Sequence, residues 1–130
     1  MKKWTEEELI NAKHRIRNAK IKSVNLDMED HGCITLRMTI EGCGWGTNYG
    51  GYSLGHGYVG AKEFDSDRNA MVYIMRIMDT VGVSRFNDLV GEYVRVAEGP
   101  GHIVKIIGNI LEDKWFDAES FFEDAEKEEN

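Results

Sequence analysis

The sequence predicts an α+β domain: an antiparallel sheet of about five strands, built from two hairpins and a Gly-aromatic strand, packed with one long helix and short flanking helices. Three observations carry that expectation. Ile34, Leu36, Met38 and Ile40 alternate with Thr35, Arg37, Thr39 and Glu41, the period of a half-buried strand. Ala70, Ile74, Ile77, Met78 and Val81 instead follow the helical period, with Gly82 behind them as a stop. Between Gly42 and Gly60 lie eight of the fourteen glycines, interleaved with Trp45, Tyr49, Tyr52 and Tyr58. Such a stretch serves either as a twisted hairpin whose rings pack the core or as a surface on which a flat ligand stacks.

Taken in order, Thr5 and Glu8 form a capping box for a short helix from residue 6 to about 14. Ile21 and then Val24, Leu26 and Met28 alternate with polar residues, and the slip of phase at Lys22 and Ser23 predicts a bulge in a strand over 19–29. Glu29 to Gly32 has turn composition, so this strand pairs with the next, 33–41, as a hairpin. A third strand is expected at about 46–54. The long helix follows over 67–81, then a short turn at 85–89 capped by Ser84. Tyr93 to Val96 and His102 to Ile107 read as a second hairpin around Pro100, and Asp117 caps a final helix carrying Phe121 and Phe122. No repeat or low-complexity linker interrupts residues 1–130, which read as one domain with an N-terminal extension at 1–15 and an acidic segment at 117–130.

Composition narrows the function. The acidic segment holds seven acids against Lys127, a local charge of −6 out of the chain's −7, which leaves −1 elsewhere. A nearly neutral body with no basic stripe argues against a nucleic-acid polymer as partner. No apolar run reaches the roughly 20 residues that cross a bilayer, and the first residues lack the apolar core of a secretory signal, so a cytoplasmic protein is expected. Cys33 and Cys43 form no CxxC pair and read as reduced thiols. His14, His31, His56 and His102 fall in separate elements without metal-ligand spacing, so neither a metal nor a cofactor is expected.

Catalytic signatures are weak. His31 beside Glu29 and Asp30 is compatible with the general base of a nucleotide hydrolase, yet the same residues make a turn, and no nucleophile motif accompanies them. A binding module is easier to assemble. Arg37, Arg76 and Arg95 offer bidentate donors for phosphate, Trp45, Tyr49 and Phe86 offer rings for stacking, and Asn109 and Asp113 offer polar groups for ribose or base edges. The competing roles are structural: solvated arginines, core rings and turn residues. A further alternative is an acidic inhibitor of another protein that mimics nucleic-acid charge with residues 117–130.

In their order and spacing, the segments IRNAKIKSVNLDMEDHG, YGGYSL, MRIMDTVGV, LVGEYVRV and IIGNILEDKWFD resemble a family of small phage and prophage proteins that includes the Thoeris anti-defence sponge proteins. The likeness runs from Ile16 to Phe116. It implies a non-enzymatic sponge that sequesters a cyclic ADP-ribose isomer made by a host Toll/interleukin-receptor-domain enzyme. Some relatives are also thought to bind the cyclic oligonucleotide signals of CBASS defence. The resemblance further implies a homo-oligomer, a dimer or dimer-based hexamer, with ligand held between subunits.

Overall fold

The computed structural model describes residues 1–129, so the last residue of the acidic segment lies outside the described residues. Its architecture is α+β. A curled antiparallel sheet is formed by β1 (Arg15–Asp30), β2 (Cys33–Gly42), β3 (Trp45–His56), β4 (Asp65–Ser66), β5 (Tyr93–Glu98), β6 (Val104–Asn109) and β7 (Trp115–Asp117), in the order β4-β3-β2-β1-β5-β6-β7. Three helices accompany it, α1 (Glu6–Asn11), α2 (Ala70–Val81) and α3 (Ala118–Glu129). Among the described residues no helix is long and apolar enough to cross a membrane.

The sheet is organised by β1, whose 16 residues serve two partners in succession. Arg15 to Lys20 pair with β5, and from Lys20 onward the strand pairs with β2. At Lys22 the register slips, as the phase change in the sequence predicts. The extra residue keeps Val24 on the same face as Ile21. The hairpin to β2 turns through His31 and Gly32, with φ of 51° and 77°, the pair of left-handed residues that a two-residue type I′ turn demands.

One face of the sheet holds the main core. Leu36, Met38, Ile40, Tyr49, Val94, Val96 and Ile107 meet Tyr73, Ile74 and Ile77 of α2 and Phe121 of α3 there. Tyr73 sits centrally, with its ring centroid 5.0 Å from Phe122, 5.8 Å from Phe116 and 5.9 Å from Tyr52. The glycines of β3 make room for this packing. Gly50, at φ 105°, lies against the Leu36 carbonyl, where any Cβ would collide. The opposite face of β5, β6 and β7 is covered as well: Trp4, Leu9 and Ile16 pack on Ala97, Ile106 and Trp115. The N-terminal residues are thus part of the fold, and burying Leu9 completely contributes ~2 kcal/mol.

Several expectations need correction. Seven strands are present where about five were expected. The two extra ones, β4 and β7, have two and three residues, too short to display an alternating pattern. The single long helix is instead a pair, since α2 and α3 have 12 residues each. α1 stops at Asn11, and β1 begins four residues earlier than its alternation indicates, at Arg15. The reason is that both faces are covered there: Ile16 points into one core and Ala19 into the other, which erases the period of two. Ser84 is not the cap of the turn at Phe86–Leu89, where Arg85 holds that position without a side-chain bond. Other local signals are present as read: the Thr5–Glu8 capping box, the left-handed Gly82 after α2, and Asp117 Oδ1 accepting the Ser120 N–H at the start of α3.

The Tyr49 and Tyr73 hydroxyls are buried with no hydrogen-bond partner among the described residues. Burial pushes both phenols above their ordinary value of 10.0, because the ionised form loses its water. The folded state therefore holds these protons more tightly than the unfolded chain, which ionises first, and stability declines as the pH rises above 10.0. Replacing Tyr73 by Phe removes a desolvated, unpaired donor while keeping the ring. Urea unfolding should show Tyr73→Phe stabilised by ~1 kcal/mol near neutral pH. The variant should also lose less stability than the parent above pH 10.0.

Candidate ligand-binding cleft

The loop between β6 and β7 is held by a network of side chains, and a cleft opens beside it. Asn109, at the end of β6, accepts the backbone N–H groups of Leu111 and Glu112 at 2.9 Å through Oδ1. Its Nδ2 donates to the carbonyls of Thr80 and Val81 at 3.1 and 3.3 Å, satisfying acceptors left open at the end of α2. Behind the loop, Arg95 donates from Nε to the Asn109 carbonyl and from Nη2 to the Glu112 carbonyl, both at 2.8 Å. Its guanidinium lies 4.5 Å from the centre of the Trp115 ring and its Nη1 is 3.5 Å from the Glu6 carboxylate. Asp113 Oδ1 accepts from Trp115 Nε1 at 2.6 Å and from the Glu6 N–H at 2.7 Å. One loop thereby ties together α2, β5, β7 and the start of α1.

The cleft in front of this network has a volume of about 290 Å³. Trp4, Trp115 and Phe116 supply its apolar wall, while Lys3, Arg76 and Lys114 supply cations and Asp79 and Asp113 supply acids. These acids are already engaged. Asp113 holds Trp115, and Asp79 receives Lys114, whose Nζ reaches both its carboxylate and its carbonyl at 2.9 Å. Arg76 and Lys3 form no ion pair among the described residues. The Lys114–Asp79 bridge also borders a second, more open groove of about 590 Å³, lined by Val81, Val83, Asn109 and Leu111. A flat anion fits this chemistry: rings for one face and uncommitted positive charge beside them.

The eight residues singled out in the sequence fall in different places. Arg76 and Asp113 line the cleft, Asn109 lines the adjoining groove, and Arg95 braces the loop from behind with a side chain only 11% exposed. The other four lie elsewhere. Arg37 pairs with Asp30 at 2.9 Å near the first hairpin turn. Trp45 packs beneath Arg17, whose guanidinium is 4.1 Å from its ring centre and 3.4 Å from the buried Glu98 carboxylate. Tyr49 is enclosed in the main core and Phe86 packs at its margin. Trp4, Lys3, Lys114 and Asp79 belong to the cleft without having been singled out. No local signal marks them, because the contact between Trp4 and Asp117 spans 113 positions of sequence.

Comparison with family models, with curated proteins and with solved structures finds no match to this chain.

Asn109 makes four bonds to backbone groups of two elements, so its removal leaves carbonyls and N–H groups unpaired together. Asn109→Ala should cost about 2 kcal/mol in urea unfolding, well above the effect of an ordinary surface substitution.

Proposed function

We propose that this chain is a non-enzymatic binding protein that captures a small anionic nucleotide of the cyclic ADP-ribose type and holds it intact. The observation that carries the reading is the pairing of the Trp4 indole with the uncommitted cations Arg76 and Lys3 in one cleft. Stacking on an indole is worth about 1–3 kcal/mol per base, and an arginine adds charge-assisted bonds to phosphate oxygens. The resemblance to phage sponge proteins supplies the biological setting: sequestration of the Thoeris signal in the cytoplasm of an infected bacterium, so that the defence effector is never activated. A sponge needs tight stoichiometric capture and slow release, which rings and guanidinium groups provide without a nucleophile.

The cleft alone lies at the small end of the range for ligand pockets, about 300–1,000 Å³. A cyclic dinucleotide-sized ligand therefore extends over the Lys114–Asp79 bridge into the neighbouring groove or is covered by a second copy of the chain, as the resemblance implies. The competing reading, an acidic mimic, draws on Glu123 and Glu126, which are exposed on α3. Other acids of that helix are already paired, Glu119 with Lys105 and Asp124 with the N-terminal amine.

Calorimetric titration with cyclic ADP-ribose isomers should show saturable binding, with unmodified ligand recovered after heat denaturation. Arg76→Glu should weaken binding at least tenfold, about 1.4 kcal/mol, whereas Arg37→Glu should leave it unchanged. Failure of every isomer to bind would reject the reading. Loss of biological activity in Glu123→Lys/Glu126→Lys, with ligand binding intact, would favour the acidic mimic.

A further inference from the structure

We propose, on the reading of the cleft as an anion site, that Asp79 competes with the ligand for Lys114. In the free protein its carboxylate holds the ammonium, and a ligand carrying a diphosphate takes that ammonium in its place. Asp79 and Lys114 are the two residues that line both the cleft of about 290 Å³ and the neighbouring groove of about 590 Å³. Their ion pair is thus the ridge between two concavities, and a ligand larger than the cleft passes over it.

The two ends of Lys114 are held unequally. Asn109 and Arg95 fix the loop that carries it, through bonds to the backbone of residues 109, 111 and 112. Its own N–H donates to the Glu112 carbonyl at 2.8 Å, and its carbonyl accepts the Asn109 N–H at 2.9 Å. The root of the side chain therefore stays in place while the flexible four-carbon stem turns. At the other end, Nζ makes two bonds of 2.9 Å, to Oδ1 and to the carbonyl of Asp79. Both are easily given up. The Asp79 side chain is 65% exposed, and water screens an ion pair so open to it. The carbonyl lies in the last turn of α2, where Gly82 and Val83 already donate to Met78 and the Asn109 amide to Thr80 and Val81. The helix keeps these caps when the ammonium leaves.

The charges around the ridge explain why a diphosphate opens it. Arg76, three residues before Asp79 on α2, forms no ion pair among the described residues, so a first phosphate meets it without breaking a bond. The Asp79 carboxylate, a neighbour of Arg76 on the helix surface, opposes that phosphate as a like charge. A second, linked phosphate changes the balance. Its oxygens replace the carboxylate as acceptors for Lys114 in charge-assisted bonds, and the released Asp79 turns to the water that already covers most of it. Asp79 is then the repulsive element of the site, lowering affinity for anions that leave the bridge closed.

Calorimetric titration with cyclic ADP-ribose and, separately, with inorganic pyrophosphate tests the competition. Asp79→Asn keeps the shape of the side chain and removes its charge, so it should bind both probes roughly threefold more tightly, a coupling ordinary for residues in contact. Direct repulsion alone would also give a gain, and a double-mutant cycle separates the two causes. In a Lys114→Gln background the gain from Asp79→Asn should fall below roughly 1.5-fold, whereas simple repulsion would leave it whole. Both positions are at the surface, and circular dichroism should show all three variants folded as the parent is. Should cyclic ADP-ribose fail to bind while pyrophosphate follows this pattern, the nucleotide reading falls and the competition stands. Binding of cyclic ADP-ribose that Asp79→Asn leaves unaltered, a gain that survives Lys114→Gln in full, or pyrophosphate that binds neither the parent nor Asp79→Asn would each overturn the proposal.

Discussion

The fold depends on a single strand that must satisfy one neighbour on each side of the sheet. β1 is long enough to pair with β5 through its first part and with β2 through its second, and the slip at Lys22 lets it do so. Without the extra residue, the period of two would turn Val24, Leu26 and Met28 to the face opposite Ile21. With it, the main core runs without a break from the first hairpin to the second. The same shift lets the sheet curl, bringing β3 toward β6 and forming the hollow that α2 and α3 fill.

Burial on both faces follows from this geometry in the second half of the sheet. β6 and β7 alternate between two cores, with Ile106 and Trp115 facing the N-terminal segment and Ile107 and Phe116 facing the helices. Trp115 is therefore constrained from several directions: it lies against Gly108, bonds to Asp113 and carries Arg95 above its ring. The cleft inherits its rigidity from these constraints. Arg76 reaches it from α2, Trp4 from the chain's first residues and Lys114 from the loop, so three separate parts of the sequence converge on one concave surface. A preorganised surface loses less conformational freedom on binding than one assembled around its ligand, which suits tight capture.

The aromatic and glycine-rich stretch has a different part in this arrangement. Tyr49 and Tyr52 turn inward toward Tyr73 and Phe122, and Gly50 lets the strands approach where a side chain would block them. Tyr49 thus packs the core, Tyr52 and Trp45 lie at its margin, the latter beneath Arg17, and Tyr58 is exposed. Rings and glycines adjacent in sequence do not distinguish a ligand platform from an interior, because both require flat area and close backbone approach.

Determined by the sequence alone were the features whose causes are local. The capping box at Thr5, the bulge at Lys22, the turn at His31 and Gly32, the stop at Gly82 and the cap at Asp117 each arise from a few neighbouring residues competing for their own backbone groups. Tertiary structure decided the rest. It recruited β4 and β7, too short to form without an edge to join, and placed Arg95 under a loop instead of in a pocket. It also brought Trp4 to Trp115 across most of the chain. Such contacts have no signature in composition or period, because the free energy that selects them is gained only after distant segments have packed against the same sheet.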